Sequence, residues 1–300
     1  MDTNLLTCVV PIYNEAGSLP STLEKLLPYC EENNYRLVFV DDGSTDNSGS
    51  ILKAISSPSL ARIITHKVNK GYGGALKTGI SFTETPFLVT FDADGQHDPE
   101  DIKVLLNYLV ENDADLVVGS RKRNIQTDKF RSTGKTIIRS FASLLMPIPI
   151  TDLNSGMKIY RTDLVQRYAT VVSDTMAFSD MITLVFINQK HRVMEHPINI
   201  SERQAGKSTV NLGTAFDTLI NILNITMLFN PFRVFLFLSM LFLIAGLAWG
   251  LPIIFSGRGV SVGSLLFLVT SLLFFSLGLL ASQLAEIRLK DIRNPHTHDN

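Results

Sequence analysis

Two stretches near the carboxyl end, Val234 to Phe255 and Val260 to Ala285, carry no charged residue. As helices rising about 1.5 Å per residue, each is long enough to cross the ~30 Å hydrocarbon core of a bilayer. Only Ser256-Gly257-Arg258-Gly259 separates them, so the pattern predicts an antiparallel membrane hairpin with a tight turn. A buried helix pair in a soluble domain is the competing reading, and uncharged spans of this length are rare there. Flanking charges set the orientation. Arg233 precedes the first span and Arg288, Lys290 and Arg293 follow the second, against Arg258 alone in the turn. The basic excess on the side of both termini predicts a multi-pass inner-membrane protein with its amino-terminal part in the cytosol. Met1-Asp2-Thr3-Asn4 is polar and the apolar run behind it is too short for a signal peptide, in keeping with that topology. No Gly-x-x-x-Gly seam is read in the spans, and a homo-oligomer stays open.

The rest of the chain reads as an α/β domain with a mainly parallel sheet covered by helices. Leu5–Val10, Leu37–Val40, Ile63–Thr65, Phe87–Phe91 and Leu116–Val118 are short apolar runs expected to be strands. Between them, Leu19, Leu23, Leu26 and Leu27, and then Ile102, Leu105, Leu106, Leu109 and Val110, recur at helical spacing. Such β-α-β alternation implies parallel strands, and parallel sheets bind ligands beyond their carboxyl ends. From 120 to 210 the pattern is less regular: Ser140 to Met146 is expected to be helical, and Arg192–Ile200 a further strand. Leu212–Leu228 has one apolar face, which suits a helix at the bilayer surface or an ordinary packing helix. An apolar content of 45% supports a sizeable core, and a net charge of −1 gives no basic field for nucleic acid. Cys8 and Cys30 have no metal or redox spacing and read as buried thiols.

The densest chemistry lies at Asp92-Ala93-Asp94-Gly95-Gln96-His97-Asp98-Pro99. Strand residues i and i+2 share a face, so Asp92 and Asp94 can converge, and Gly95 allows a sharp turn just beyond. Converging hard oxygens suit Mg²⁺ or Mn²⁺ on a diphosphate, while Asp98-Pro99-Glu100 reads as a helix start. An EF-hand is excluded, because counting from Asp92 puts His97 at position six and Lys103 at position twelve. Pro11-Ile12-Tyr13-Asn14-Glu15 and Val40-Asp41-Asp42-Gly43-Ser44-Thr45-Asp46 follow the first two strands. They offer an aromatic edge and carboxylates for a base and ribose, or simply turns and caps. Asn69-Lys70-Gly71-Tyr72-Gly73-Gly74 opens a helix, where freed backbone N–H groups could meet phosphate. It is no Walker loop, since Leu76 stands where a glycine is required. Arg203-Gln204-Ala205-Gly206-Lys207-Ser208-Thr209 also fails that pattern, at Ser201. It reads as a basic loop able to neutralise a phosphate, or to face anionic lipid.

In this order, Pro-x-Tyr-Asn-Glu, Asp-Asp-Gly-Ser-x-Asp and Asp-Ala-Asp-Gly-Gln-x-x-Pro resemble the family 2 glycosyltransferases, and among them the dolichyl- or polyprenyl-phosphate sugar synthases. The resemblance spans about residues 5 to 210 and implies a nucleotide-sugar-binding domain of the GT-A type. The implied organisation is a cytosolic glycosyltransferase domain at 1–210, a juxtamembrane amphipathic helix at 211–230, two transmembrane helices within 231–286 and a cytosolic tail at 287–300. It implies that Pro11, Tyr13, Asn14, Glu15, Val40, Asp42, Asp92 and Ala93 hold the donor. Asp94 and Gln96 would ligate Mg²⁺ or Mn²⁺, Gln96 also lying on the donor side. Arg121, Arg203 and Lys207 would join Asp94 in catalysis. Asp152-Leu153-Asn154-Ser155-Gly156-Met157-Lys158 matches an acceptor-side segment, with Met157 for an aromatic and Lys158 for arginine. Ser155, Lys158 and Asp180 are the expected acceptor-side residues.

A hexose would thus move from a nucleotide diphosphate sugar to a polyprenyl phosphate in the bilayer, with inversion. A phosphate acceptor is already anionic and needs no strong base, whereas a diacylglycerol or other glycolipid hydroxyl would need one, with Asp180 the only base in a suitable place. A processive polysaccharide synthase would carry Gln-x-x-Arg-Trp, but the single tryptophan, Trp249, lies in a membrane span. A membrane scaffold keeping a degenerate transferase domain is the non-enzymatic rival. Uridine and guanosine donors are equally compatible with the sequence, as are several sugars.

Overall fold

The computed structural model describes residues 5–55, 60–121, 148–200, 220 and 223–293, with side chains to residue 288. These fall into two compact units, one holding the described residues up to 200 and the other those from 220 onward. Ser140–Met146, most of Leu212–Leu228, and Arg203 and Lys207 lie outside the described residues; 223–229 is helical.

In the first unit, β1 (Leu6–Ile12), α1 (Leu19–Glu32), β2 (Arg36–Asp41), α2 (Ser48–Lys53), β3 (Ala61–Thr65), α3 (Tyr72–Ser81), β4 (Phe87–Thr90), α4 (Glu100–Glu111) and β5 (Leu116–Arg121) follow in turn. Then come β6 (Lys158–Arg161), α5 (Thr162–Ala169), α6 (Phe178–Asn188) and β7 (Val193–Ile198). All five strands expected before residue 120 are present, as is the later one. The sheet order is β3-β2-β1-β4-β6-β5-β7. β1 runs parallel to β2 and β4, β2 to β3, and β5 to β7. Residues of β1 are buried throughout, which is why Leu6-Thr7-Cys8-Val9-Val10 reads as a continuous apolar run rather than an alternation. Cys8 and Cys30 are both buried and free, and join the core that α1 and α4 close with Leu19, Leu26, Ile102, Leu105 and Leu109. Pro197 falls in β7, an edge strand, where a missing N–H costs no ladder bond on the open side.

β6 went unread in the sequence. It enters the centre of the sheet antiparallel to both β4 and β5. Four residues bounded by Lys158 and Arg161 carry no strand-like period, and tertiary pairing alone makes them a strand. Its insertion brings the 152–157 segment back beside the end of β4, where Asp92 stands.

The second unit holds α7 (Pro231–Phe255) and α8 (Val262–Arg293), with mean hydropathies of 2.4 and 2.3 over their apolar windows. They pair as a hairpin. Here the sequence reading needs correction: Gly246-Leu247-Ala248-Trp249-Gly250 is a Gly-x-x-x-Gly seam, and it faces α8. A Cβ on Gly250 would stand 2.9 Å from Ser264, and one on Gly246 3.1 Å from Phe267. Small residues let the helix backbones approach, and Ser271 Oγ donates to the Ser239 carbonyl at 2.9 Å across the same interface.

Candidate active site

The loops after β1 and β2 are sewn together. Asn14 adopts a left-handed φ of 56°, which its short polar side chain tolerates. Its Oδ1 accepts from the Thr45 N–H at 2.8 Å, while Ser44 Oγ accepts from the Asn14 N–H at 3.1 Å. Ser48 Oγ and Asp46 Oδ2 take the next two N–H groups, of Glu15 and Ala16, both at 3.0 Å. The two motifs separated in sequence therefore form one ledge at the carboxyl end of the sheet. Val40 lies inside the sheet under that ledge, fully buried.

Asp42, 2% exposed, organises the next loop. Its Oδ1 accepts from the Lys70 N–H at 2.8 Å and its Oδ2 from the Gly71 N–H at 2.8 Å, while His66 Nδ1 approaches Oδ1 at 2.6 Å. His66 Nε2 in turn meets Thr78 Oγ1 at 2.9 Å. The expectation that glycines here free N–H groups for phosphate is overturned for two of them. Gly71 donates to Asp42, and Gly73 donates to the Asp174 carbonyl at 3.1 Å. Asp174 also pairs with Lys77 at 2.6 Å, so the 170–177 connection is strapped over the start of α3.

Asp92 and Asp94 stand just beyond β4. Tyr72 Oη donates to Asp92 Oδ1 at 2.9 Å, and His97 Nε2 lies 3.4 Å from Asp92 Oδ2. Burial raises the Asp92 carboxyl, but His97 and Tyr72, with Arg121 further off, outweigh it and hold it below the ordinary carboxylate range. The His97 ring packs on Phe91 at 5.5 Å. Asp94 Oδ1 accepts from the Gln96 N–H at 3.1 Å, and Asp98 Oδ1 accepts from the Glu100 N–H at 3.1 Å, the expected helix start. Gly156 presses on the other side of Asp92: its carbonyl accepts from Thr90 Oγ1 at 2.6 Å, and no side-chain atom fits between it and the carboxylate.

These elements enclose a cleft of about 620 Å³. Pro11, Tyr13, Glu15, Asp42, Tyr72, Asp92, Ala93 and Asp94 line one part, and Asn154, Gly156, Thr175, Met176 and Ser179 another. Asn14, Val40 and Gln96 are not among its lining residues. Arg121 forms a two-pronged pair with Asp152, Nε to Oδ2 and Nη2 to Oδ1, both at 2.9 Å. It braces the 152–157 turn from behind, where the pair with Asp152 raises its pKa further. Ser155 is buried and its carbonyl accepts from Ser179 Oγ at 2.8 Å, while Lys158 is wholly buried beneath the cleft. Asp180 is buried beside them, its carboxyl raised by burial, with Oδ1 lacking a hydrogen-bond partner among the described residues. Tyr72, His97, His66, Gly156 and Met176 were missed as site residues. Tyr72, His97 and Gly156 lay inside motifs read for other reasons, while His66 and Met176 carry no local signal.

Among the described residues no three His, Cys, Asp or Glu side chains cluster as a ready metal cage. Asp94 and Asp92 at a cleft wall do fit Mg²⁺ or Mn²⁺ of the kind held by one or two carboxylates plus phosphate oxygens and water.

A mainly parallel sheet with β6 inserted antiparallel, a polar cleft at its strand ends and paired carboxylates on one wall are the features of a nucleotide-sugar transferase domain of the GT-A type. Residues 7–169 match the family described as glycosyl transferase family 2, and this chain belongs to that family. Residues 230–287 match the GtrB C-terminal hairpin. Similar relatives include undecaprenyl-phosphate 4-deoxy-4-formamido-L-arabinose transferases of Proteus mirabilis, 27% identical over 97% of this chain and 91% of the relative, and of Photorhabdus laumondii, 28% identical over 96% and 90%. Among solved structures, glucosyl-3-phosphoglycerate synthase from Mycobacterium tuberculosis with Mn²⁺, uridine-diphosphate-glucose and phosphoglyceric acid aligns with a TM-score of 0.58 at 17% identity. The alignment covers 74% of this chain and 80% of that one. The likeness is one of fold. The protein is a glycosyltransferase with a carboxyl-terminal apolar hairpin.

Proposed function

We propose that this enzyme transfers a sugar from a nucleotide diphosphate donor to a polyprenyl phosphate at the cytosolic face of the inner membrane, with divalent-metal dependence and inversion at the anomeric carbon. The observation that carries the reading is that Pro11, Tyr13, Asp42, Asp92 and Asp94 line one cleft. Tyr13, Glu15 and Asp42 would receive the base and ribose, and the Asp92–Asp94 wall the diphosphate; their shared place in the cleft lining supports this. Mg²⁺ or Mn²⁺ held by Asp94, with Gln96 beside it, would neutralise charge on the departing diphosphate. Asp92, clamped by Tyr72 and His97, keeps its charge directed at the donor. Arg203 and Lys207 would add cationic neutralisation.

The names of the curated relatives, which specify undecaprenyl phosphate, support a lipid phosphate acceptor. So do the two apolar helices. The chemistry agrees: a phosphate monoester is anionic at pH 7 and attacks without a base. Asp180, buried below the cleft lining, is poorly placed to take a hydroxyl proton. The hexose reading rests on the motif resemblance, while the relatives' names carry a formamido-pentose, so both belong in the donor panel. The orientation rests on Arg233, Arg288, Lys290 and Arg293.

The test incubates the purified full chain with uridine and guanosine diphosphate sugars, Mn²⁺ or Mg²⁺, and polyprenyl phosphate, followed by mass spectrometry of the lipid extract. Hydrolysis of the donor without a glycosylated lipid refutes the acceptor assignment. Asp180→Asn is expected to keep transfer at pH 6.5, where Lys158 still carries its proton; abolition there with donor binding intact favours a hydroxyl acceptor.

A further inference from the structure

Lys158 opens β6 and is 0% exposed. Its Nζ donates to the Leu153 carbonyl at 2.7 Å, the Ser179 carbonyl at 2.6 Å and Thr183 Oγ1 at 2.8 Å. An ammonium has three donors, and all three are engaged inside the protein. Leu153 belongs to the turn that carries Asn154 and Gly156, while Ser179 belongs to the start of α6, which follows Thr175 and Met176. One cation thus ties together two segments of the cleft lining. Ser179 Oγ adds a parallel link to the Ser155 carbonyl. At its other end Lys158 donates its backbone N–H to Thr90 Oγ1 at 3.3 Å, the hydroxyl that also holds Gly156 against Asp92.

We propose that Lys158 is a positioning residue that fixes the separation of these two cleft walls, and that it does so fully only as the ammonium ion. A neutral amine keeps two donors and gains a lone pair, so it leaves one of the three oxygens without its partner. Burial and the start of α6, the positive end of a helix dipole, both disfavour the charge. Asp180 on α6, Asp152 before β6 and Asp92 after β4 favour it, and Arg121 on β5 opposes it. Burial dominates and pulls the Lys158 pKa down to about 8. Sugar transfer therefore carries an alkaline limit set below the cleft rather than on its surface. The proposal rests on the cleft being the transfer site, and not on which acceptor enters it.

The sign for stability is opposite. A folded-state pKa of about 8 lies below the ordinary 10.5, so the unfolded chain binds more protons between those values. The Lys158 contribution to stability consequently rises as pH climbs from about 8 to 10.5, while activity falls.

The experiment compares wild type, Lys158→Arg and Lys158→Met from pH 6.5 to 10, reading kcat, both KM values, nucleoside diphosphate binding by calorimetry and the unfolding midpoint. Wild-type kcat is expected to fall roughly tenfold from its plateau one pH unit above the Lys158 pKa. Lys158→Arg, whose charge persists, is expected to remain active through that range. Lys158→Met should lose about 30-fold or more in kcat at every pH, with donor KM and nucleotide binding within about threefold. If Lys158→Met does not fold, Thr183→Val removes one of the three acceptors and should move the alkaline limb to lower pH. An alkaline limb unchanged in Lys158→Arg, or Lys158→Met with kcat within about threefold of wild type, overturns the proposal. A wild type that never glycosylates polyprenyl phosphate defeats the functional reading alone. The difference in unfolding midpoint between wild type and Lys158→Arg still tests Lys158, since only wild type should gain above pH 8.

Discussion

Replacing Gly156 with alanine adds one methyl group at the point where the 152–157 turn meets Asp92. Built on the backbone, that Cβ would lie 2.7 Å from Asp92 Cγ and 3.0 Å from Oδ1, and closer still to Oδ2. Carbon atoms settle at about 3.5–4.0 Å, so Cγ must retreat by about an ångström and Oδ2 by more. The backbone is held, because the Gly156 carbonyl accepts from Thr90 Oγ1 at 2.6 Å inside the sheet. The carboxylate is the softer partner, and turning it away breaks the bonds to Tyr72 Oη and His97 Nε2. Hydrogen bonds to a charged group contribute about 1.5–3 kcal/mol each. The His97 contact, at 3.4 Å, belongs at the weak end. A joint loss of about 3 kcal/mol follows, or on the order of 100-fold in kcat/KM at 1.4 kcal/mol per decade. Steady-state transfer by Gly156→Ala, with nucleoside diphosphate binding in Mn²⁺, reads this directly. Gly17→Ala is the control, since a Cβ there meets no atom within 4 Å. A Gly156→Ala enzyme within about threefold of wild type refutes the idea that Asp92 must be held in this orientation.

Asp94→Ala should lower metal-dependent transfer by roughly 100-fold or more, with circular dichroism unchanged; retained Mn²⁺-dependent activity removes Asp94 from the metal site. His66→Phe deprives Asp42 and Thr78 of a shared partner, a loss of about 1.5–3 kcal/mol. Its unfolding midpoint should drop by roughly 3–12 °C, and an unchanged midpoint contradicts the reading of His66 as the brace of the Lys70–Gly71 loop. Gly250→Leu forces a side chain onto Ser264 and should cost about 1–3 kcal/mol of hairpin stability in detergent. Gly263→Ala, whose Cβ would meet only Ser261 Oγ at 3.6 Å, should unfold like wild type, and equal behaviour of the two variants argues against the close helix contact.

Local patterns were legible because local forces produce them. The apolar runs of β1 to β5 and the stripe at Ile102, Leu105 and Leu109 each record burial along one element, and the two uncharged spans, Val234 to Phe255 and Val260 to Ala285, record length and hydropathy along a single helix each. Asp92 and Asp94 were legible as a pair from their spacing, but β4 ends at Thr90, so the turn beyond it rather than strand alternation brings both to the cleft. Whatever depends on distant chain segments meeting lay outside that reach. β6 is a strand because β4 and β5 leave a place for it, not because Lys158-Ile159-Tyr160-Arg161 prefers to be one. His66 reaches Asp42 across 24 positions, and Thr90 meets Gly156 across 66. The same holds for Lys158, whose charge and place in a motif were plain in the sequence. Only the packing of α6 against the 152–157 turn buries its ammonium and gives it three oxygens, because desolvation and hydrogen bonding act through space rather than along the chain.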